Sequence, residues 1–269
     1  MLTIQKYYRQ SATHKIFSAM ISNFETFLST VGDITIYGIK VVKCILKGEI
    51  EWKELMEQCY RFGVTSLPIT LSIVGMTSLI VASQVALEMV KQGGGNLVGL
   101  LMTMLIVREV GVIMSGFAII YMIGSSLASE LATMKVTEQI DAIRVLKVDP
   151  IRYLFVPRVL SGLLMMPPVV AIASAVGVLA GAITANLASG LSYMAFFDSA
   201  WLGIYMKDLT VCMLKAMTFG ATIALVSCTW GYNASGGAKG VGKATTKAVV
   251  WSFVAIVIID MIYAIAFFF

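Results

Sequence analysis

The sequence predicts an all-α integral membrane protein with an amphipathic N-terminal region, five transmembrane helices and a short polar helix between two of them. Apolar runs long enough to cross a bilayer, about 20 residues each, recur along the chain. Soluble domains are about a quarter charged, but only 13% of these residues carry a charge and 58% are hydrophobic. The most polar central run, residues 130–150, lies between two apolar runs and must therefore face water.

Residues 1–61 form an N-terminal region that is too polar to span a membrane. The chain starts with polar and basic residues and no apolar core of a signal peptide follows, so we expect the N-terminus to stay cytoplasmic. Apolar residues then recur at helical spacing, as at Ile36, Ile39 and Val42. This pattern predicts an amphipathic helix in the membrane interface, with its lysines near the headgroups. A helix packed on a partner protein is the alternative.

Residues 62–269 are predicted to form one domain of five spans. The second span is longer than the ~20 residues a bilayer needs, so it must tilt, bend or protrude. Pro167 and Pro168 lie inside the third span and predict a kink or a break, because proline lacks a backbone donor and clashes with the preceding turn. The predicted spans cover residues 67–89, 97–129, 153–187, 209–230 and 244–269.

The connection before the fifth span imitates a nucleotide-binding loop. Gly237 to Lys243 match the spacing of glycines and lysine in a P-loop. The next residue is Ala244, so the hydroxyl that would bind Mg²⁺ is missing, and a membrane span precedes the loop instead of a strand. We therefore predict a flexible glycine-rich turn, and no cofactor in this chain.

Composition also argues against several other kinds of site. The four cysteines show no paired spacing and His14 is the single histidine, so we expect no disulfide framework and no zinc or haem site. The net charge of +5 reports on membrane topology rather than on nucleic acid, which we do not expect as a partner. Lysine and arginine gather in the N-terminal region, around residues 130–150 and at 231–243. The positive-inside rule places these three regions in the cytoplasm and the C-terminus on the far side.

The polar run is predicted to form a helix with two different faces. Val136, Ile140 and Ile143 share one face, and Asp141 can support Arg144 three residues later on the other. Such a helix is either a docking element for a cytoplasmic partner or a plain interfacial turn with a solvated face. The candidate docking residues are Glu130, Lys135, Thr137, Glu138, Asp141 and Arg144.

Four charged residues fall inside predicted spans: Arg108, Glu109, Lys215 and Asp260. Charges at this depth cost several kcal/mol unless they are paired or hydrated. Arg108 and Glu109 are adjacent, so their side chains point about 100° apart on a helix and do not pair with each other. We expect them to reach Asp260 and Lys215 on other spans. The four residues form either a polar gate or headgroup site, or ion pairs that fix helix packing.

The end of the first span is the candidate lipid contact. Its apolar side chains suit acyl chains, although ordinary helix packing would select the same residues. The residues selected are Val81, Gln84, Val85 and Met89.

Several ordered motifs from about residue 60 onward resemble the MlaE/YrbE family of ABC-transporter permeases. Two of the matching positions are single residues, Glu130 and Pro167. The longer motifs are Arg108-Glu109-Val110-Gly111, Thr137-Glu138-Gln139, Val148-Asp149-Pro150, Pro157-Arg158 and Gly242-Lys243-Ala244-Thr245-Thr246-Lys247, followed by Val249-Val250.

The resemblance implies a transport subunit that is not itself an enzyme. It implies a homodimer that moves phospholipid or a related lipid, with a cytoplasmic ABC ATPase that holds ATP and Mg²⁺, an MCE-domain protein in the periplasm and a small STAS-type cytoplasmic subunit. In this family residues 130–144 would be the coupling helix, and the end of the first span would line a pocket between two permease copies. A bacterial inner membrane is then expected, with the C-terminus periplasmic. An ion-coupled transporter or channel and a non-transporting membrane anchor are the alternatives.

Overall fold

The computed structural model describes residue 25, residues 28–48 and residues 50–268, and no strand occurs in this part of the chain. The predicted all-α fold is confirmed. Within the described residues, five helical segments are long and apolar enough to cross a membrane, and we number them spans 1 to 5. They are Trp52–Lys91, Gly95–Val136, Ile151–Ser189, Met206–Tyr232 and Gly237–Phe267.

Helix α1, residues 28–46, packs beside the bundle with one apolar face and leaves another exposed. Val41 is buried, and the ring of Tyr37 lies 5.3 Å from that of Phe155 and 5.6 Å from that of Tyr232. The opposite face exposes apolar side chains of the predicted amphipathic pattern, including Ile36 and Ile39. Residues 14–24, where that pattern begins, and His14 lie outside the described residues. Whether α1 lies in a membrane interface stays a prediction.

Span 1 begins earlier than its hydropathy predicts. It consists of α2 (Trp52–Tyr60), a π-helical turn (Arg61–Thr65) and α3 (Leu67–Lys91), with Pro68 in the first turn of α3. The α2 segment is rich in charged residues, so hydropathy alone did not predict that the first helical segment includes it. Hydropathy therefore identifies the apolar part of this segment and not the residue at which the helix starts.

Span 2 contains two π-helical turns. It runs through α4 (Val98–Leu105), a π-helical turn (Ile106–Val110), α5 (Gly111–Ile119), a second π-helical turn (Ile120–Gly124) and α6 (Ser125–Val136). Such turns widen a helix by one residue and often occur at functional sites. The first of them contains Arg108 and Glu109.

Helix α7 (Gln139–Val145) connects spans 2 and 3. Span 3 then comprises a π-helical turn (Ile151–Phe155) and α8 (Val156–Ser189). Helix α8 continues through Pro167 and Pro168, so it does not break there, and Pro157 lies in its first turn. A kink at the two prolines stays a prediction. Helix α8 packs along α3 and α10 (Met206–Tyr232), and these neighbours hold it together where the prolines remove two backbone donors.

The other end of the bundle carries α9 (Tyr193–Leu202), which precedes span 4, formed by α10. A Cβ atom on Gly99 would overlap the backbone of α9, so this glycine permits the close contact between α4 and α9. We call this the α9 end, and the opposite end, which contains α1 and α7, the α7 end.

The flexible loop predicted for residues 231–243 is wrong, because α11 (Gly237–Phe268) already begins at Gly237. The turn is confined to residues 233–236. Gly236 and Gly237 have φ angles of 94° and 65°, which allow the chain to reverse sharply there. The later glycines of this segment lie inside the helix.

The core depends on a close crossing of α8 and α10. A Cβ atom on Gly162 would come within 2.5 Å of the carbonyl oxygen of Gly220, and a Cβ atom on Gly220 would overlap the backbone of Gly162. Phe62 and Phe219 lie in the same fully buried cluster. The two glycines therefore set how closely spans 3 and 4 approach.

We expect Gly220→Ala to destabilise the folded protein by about 1–3 kcal/mol, the usual cost of overpacking, because backbone atoms block the new methyl group. Thermal unfolding of the purified protein in detergent measures this. Gly242→Ala is the matched control, since nothing lies within 4 Å of its added Cβ atom and alanine favours a helix. Equal melting temperatures for both variants would contradict the tight crossing.

Candidate functional site

The α7 end contains the polar run, residues 130–150, in which Lys135 and Arg144 both pair with Asp141. Ile140 is fully buried, while Thr137 and Glu138 are exposed. Lys135 Nζ lies 3.3 Å from Asp141 Oδ2, and Arg144 Nη1 lies 3.2 Å from Asp141 Oδ1. The predicted pairing of Asp141 with Arg144 is thus confirmed. The single helix predicted for the polar run is wrong, because α6 ends at Val136 and the left-handed backbone of Glu138 separates it from α7.

A contact that the sequence did not predict fixes α7 to span 4. Arg144 donates through Nη2 to the hydroxyl of Tyr232, and its guanidinium lies 5.7 Å from the centre of that ring. Burial, together with the neighbouring Tyr232, raises the pKa of Tyr37, so its phenol stays protonated and donates to Asn233 Oδ1 at 3.2 Å. The residues around Tyr232 therefore join α1, α7, span 3 and span 4. An aromatic residue at the end of a span is too common a feature to indicate this role.

Glu130 is held by two arginines from other spans. Its Oε2 lies 3.0 Å from Arg61 Nη1 and its Oε1 lies 3.0 Å from Arg158 Nη2. Arg158 is only 2% exposed and also donates to the carbonyl of Leu154 at 2.8 Å. Glu130 therefore ties spans 1, 2 and 3 together just inside the α7 end. The role in partner docking that the sequence indicated stays a prediction.

Beside Glu130, a surface recess of about 670 Å³ follows α6 toward α7. Five of its six lining side chains carry a polar group. The side chains that share this wall with Glu130 are Ser126, Ser129, Thr133, Met134 and Gln139.

Inside the bundle, Lys215 is completely buried between two carboxylates. Its Nζ lies 3.1 Å from Glu109 Oε1 and 2.7 Å from Asp260 Oδ1, and it donates to the carbonyl of Arg108 at 2.9 Å. The predicted approach of Glu109 to Lys215 is confirmed. One amine thereby joins spans 2, 4 and 5.

The predicted reach of Arg108 to Asp260 is wrong. The Arg108 guanidinium lies 2.8 Å from Asp208 Oδ2, and Asp208 is almost fully buried. The reason is geometrical, since adjacent side chains diverge by about 100° and only Glu109 faces Lys215. Asp208 escaped the sequence analysis because the fourth span was predicted to start at residue 209, whereas α10 begins at Met206. We call Arg108, Glu109, Asp208, Lys215 and Asp260 the Lys215 network.

The four predicted lipid-contact residues lie on span 1 near the α9 end. Val81, Val85 and Met89 are partly buried against a small apolar core, and Gln84 is exposed. None of the four lines the apolar cavity of about 450 Å³ between spans 2, 3 and 4 and α9. Sequence patterns did not indicate that cavity, because it arises only when four separate segments pack. The lipid-contact role of the four residues stays a prediction.

Comparison with known proteins agrees with this architecture. The family model for Permease MlaE matches residues 55–266, which is most of the chain. This chain belongs to the MlaE permease family.

Relatives of this MlaE-family chain come from plants and bacteria. A chloroplastic protein of Arabidopsis thaliana named TRIGALACTOSYLDIACYLGLYCEROL 1 is 36% identical over 85% of this chain, which spans 65% of that protein's length. A probable ABC transporter permease of Synechocystis is also 36% identical, with 80% of this chain and 81% of the relative covered. A third, from Rickettsia typhi, is 32% identical, with coverages of 86% and 90%. The chain is therefore a multi-pass membrane protein and an ABC transporter permease.

We expect Lys215→Met to destabilise this MlaE permease by about 3–5 kcal/mol, because it leaves the buried Asp260 and the partly exposed Glu109 without a cation. A variant that also carries Glu109→Gln and Asp260→Asn should regain most of the lost stability, since no charge then stays uncompensated. Yield of monodisperse protein and its melting temperature measure both effects. Lys239→Met is the control, because Lys239 is exposed near the start of α11.

Transport by the neutral triple variant then separates the two roles considered for the network. If the protein folds normally but no longer transports, the charges gate the pathway. If transport persists, they serve packing alone. A Lys215→Met variant as stable as the wild type would contradict the buried ion pairs themselves.

Proposed function

We propose that this chain is the lipid-translocating subunit of an ABC transporter, moving phospholipid or a related lipid between membranes as a homodimer. A separate ATPase that holds ATP and Mg²⁺ supplies the energy. Family membership supports the permease role. Energy coupling is proposed on one observation: helix α7 is largely exposed to solvent and is attached to spans 2, 3 and 4.

The geometry of α7 suits a lever. Its buried Ile140 and its contact with Tyr232 fix it to the bundle, while Glu138, Val145 and Leu146 point into solvent. Exposed apolar side chains beside charged ones are typical of a docking surface. Val145 and Leu146 are 82% and 75% exposed, so they offer the apolar contact to a cleft of the ATPase.

Movement of α7 reaches the membrane interior through two connections. Tyr232 ends span 4, which also carries Lys215, and α6 leads from α7 back to Glu130. A push on α7 therefore acts on spans 2, 3 and 4 together. In this proposal the Lys215 network is the layer whose rearrangement accompanies lipid movement.

We place the α7 end in the cytoplasm of a bacterial inner membrane, because lysine and arginine gather there. The N-terminus lies on that side and the C-terminus lies in the periplasm. The proposed partners are a second copy of this chain, the ATPase, a STAS-type cytoplasmic subunit and an MCE-domain protein at the α9 end. Val81, Gln84, Val85 and Met89 then contact lipid at the pocket between two copies.

The proposal is tested by gentle purification from native membranes, identification of the co-eluting proteins and reconstitution of the complex in vesicles. Transfer of a fluorescent phospholipid should require hydrolysable ATP. Transport driven by an ion gradient without the ATPase would instead identify a secondary transporter, and a stable complex that moves no lipid would identify an anchor. Either result would refute the proposal.

We expect Glu138→Lys to weaken the complex with the ATPase at least about tenfold, since one unfavourable charge contact costs more than the roughly 1.4 kcal/mol that this factor represents. Lipid-stimulated ATP hydrolysis should fall in parallel, while the melting temperature should not change, because Glu138 is exposed. Co-purification and hydrolysis assays measure these effects.

Asp198→Lys is the matched control for this experiment, since Asp198 is exposed on α9 at the opposite end of the bundle. It makes the same change of charge and should leave ATPase binding intact. Equal binding and hydrolysis for the Glu138→Lys variant and the wild type would show that the ATPase docks elsewhere.

A further inference from the structure

Three lysines form a row along the first turns of α11. Lys239, Lys243 and Lys247 follow one another at intervals of four residues, so they lie on one face of the helix, and all three are exposed. Lysines at this spacing repel one another, and the positive end of the helix dipole adds to the repulsion at Lys239. None of the three forms a salt bridge with another described residue of the chain. The fold therefore gathers positive charge here without compensating it.

The acidic residues that usually offset such a charge are missing from this part of the sequence. The first turn of α11 contains no acidic residue, and no aspartate or glutamate occurs between Asp208 and Asp260. Asp33 of α1 reaches this end of the bundle, but it accepts a hydrogen bond from Asn233 Nδ2 at 3.2 Å. An anion from outside the described residues would therefore complement the row of lysines.

Two of the lysines, Lys243 and Lys247, border a small recess at the turn before α11. The recess has a volume of about 120 Å³, and none of its lining residues is acidic. Lys247 Nζ lies 4.8 Å from the centre of the Trp230 ring, so the aromatic face holds this amine at the wall. Asn233 and Ser235, both exposed, add polar groups to the same wall. Two ammonium groups beside neutral hydrogen-bonding groups suit a phosphate.

The face of α11 that carries the lysines continues into the apolar layer of the membrane. Beyond the lysines, exposed apolar side chains occupy the same face, namely Val250, Val254, Val257, Met261 and Ile265. Trp251 follows the last lysine by one turn, and its ring lies 6.2 Å from that of Trp230. Tryptophan is typical of the boundary between the membrane and water. The row of lysines therefore lies at the depth of lipid headgroups, next to the acyl chains that contact span 5.

We propose that Lys243 and Lys247 bind the phosphate of an anionic phospholipid in the leaflet at the α7 end, while Lys239 adds positive charge one turn away. The acyl chains of this lipid lie along the exposed face of span 5. A second copy of the chain matches the row poorly, because a two-fold axis along the membrane normal would bring identical lysines to the same level. The inference goes beyond the proposed function, since it concerns a lipid that stays bound in the surrounding bilayer and requires no transport.

The test titrates delipidated full-length permease in detergent with dioleoyl phosphatidylglycerol and counts the bound lipid molecules by native mass spectrometry. The first molecule should bind at least about tenfold more tightly than dioleoyl phosphatidylcholine, whose choline group cancels the phosphate charge. Inorganic phosphate at the same concentration should not displace it, because the free ion lacks the acyl chains that contact span 5.

Lys243→Gln combined with Lys247→Gln should raise the dissociation constant for phosphatidylglycerol about 25-fold, since each lysine near an anionic surface contributes roughly fivefold. Without lipid, the melting temperature of this variant should stay equal or rise, because two charges that repel each other are removed. Arginine at both positions keeps the charge and should keep the affinity. Lys53→Gln combined with Lys147→Gln is the matched control, since both lysines are exposed at the α7 end but lie outside the row, and it should bind like the wild type.

Equal affinity of the wild type and the Lys243→Gln, Lys247→Gln variant for phosphatidylglycerol would overturn the proposal. An equal loss of affinity in the control would also overturn it, because the lipid would then respond to overall surface charge. If the permease does not prefer phosphatidylglycerol, but the variant at 243 and 247 loses the ATPase in co-purification, the row binds an acidic face of that partner and the lipid site is refuted. The binding measurement needs no ATP, so a failure of lipid transfer refutes the proposed function and leaves this site intact.

Discussion

The buried amine of Lys215 is the constraint on which the arrangement of the spans depends. An ionised amine cannot remain in an apolar interior without partners, and here Glu109 and Asp260 come from two other spans. Spans 2, 4 and 5 must therefore meet at one level. Near the α7 end, Glu130 imposes a similar condition on spans 1, 2 and 3 through its two arginines. Span 2 belongs to both layers, so it fixes the register of the whole bundle.

That double role accounts for the irregularity of span 2. Its first π-helical turn contains Arg108 and Glu109, and the diverging directions of these neighbours let one residue reach span 4 through Asp208 and the other through Lys215. The ion pairs of Glu130 lie nearer the α7 end, beyond the second π-helical turn. The ion pairs of Glu130 and those of Lys215 connect the spans at two different depths. In the proposed mechanism, a force on α7 therefore moves several spans together rather than single side chains.

The sequence could predict what one segment determines by itself. Five spans follow from apolar length, the Asp141–Arg144 pair follows from spacing on one helix, and the need of Glu109 for a cation follows from the cost of burying charge. The partner of Arg108 could not be predicted, because it depends on a helix that starts three residues earlier than its apolar run indicates. The uninterrupted α8 and the early start of α11 likewise depend on neighbours and on two turn glycines. The apolar cavity could not be predicted either, because its wall combines residues of spans 2, 3 and 4 and α9.

Buried charges and buried hydroxyls have different surroundings in this chain. Leaving Lys215 or Arg158 without a carboxylate would cost several kcal/mol, so the protein itself must supply those partners. A hydroxyl costs less to leave unpaired and has an easy alternative, because a helix offers it the carbonyl one turn back. Six buried hydroxyls of the described residues do not take that alternative, namely those of Ser78, Thr103, Ser115, Ser174, Ser227 and Ser252, although similar residues such as Thr77 and Thr184 do. They are spread over all five spans. The fold therefore pairs its buried charges and tolerates isolated unpaired hydroxyls.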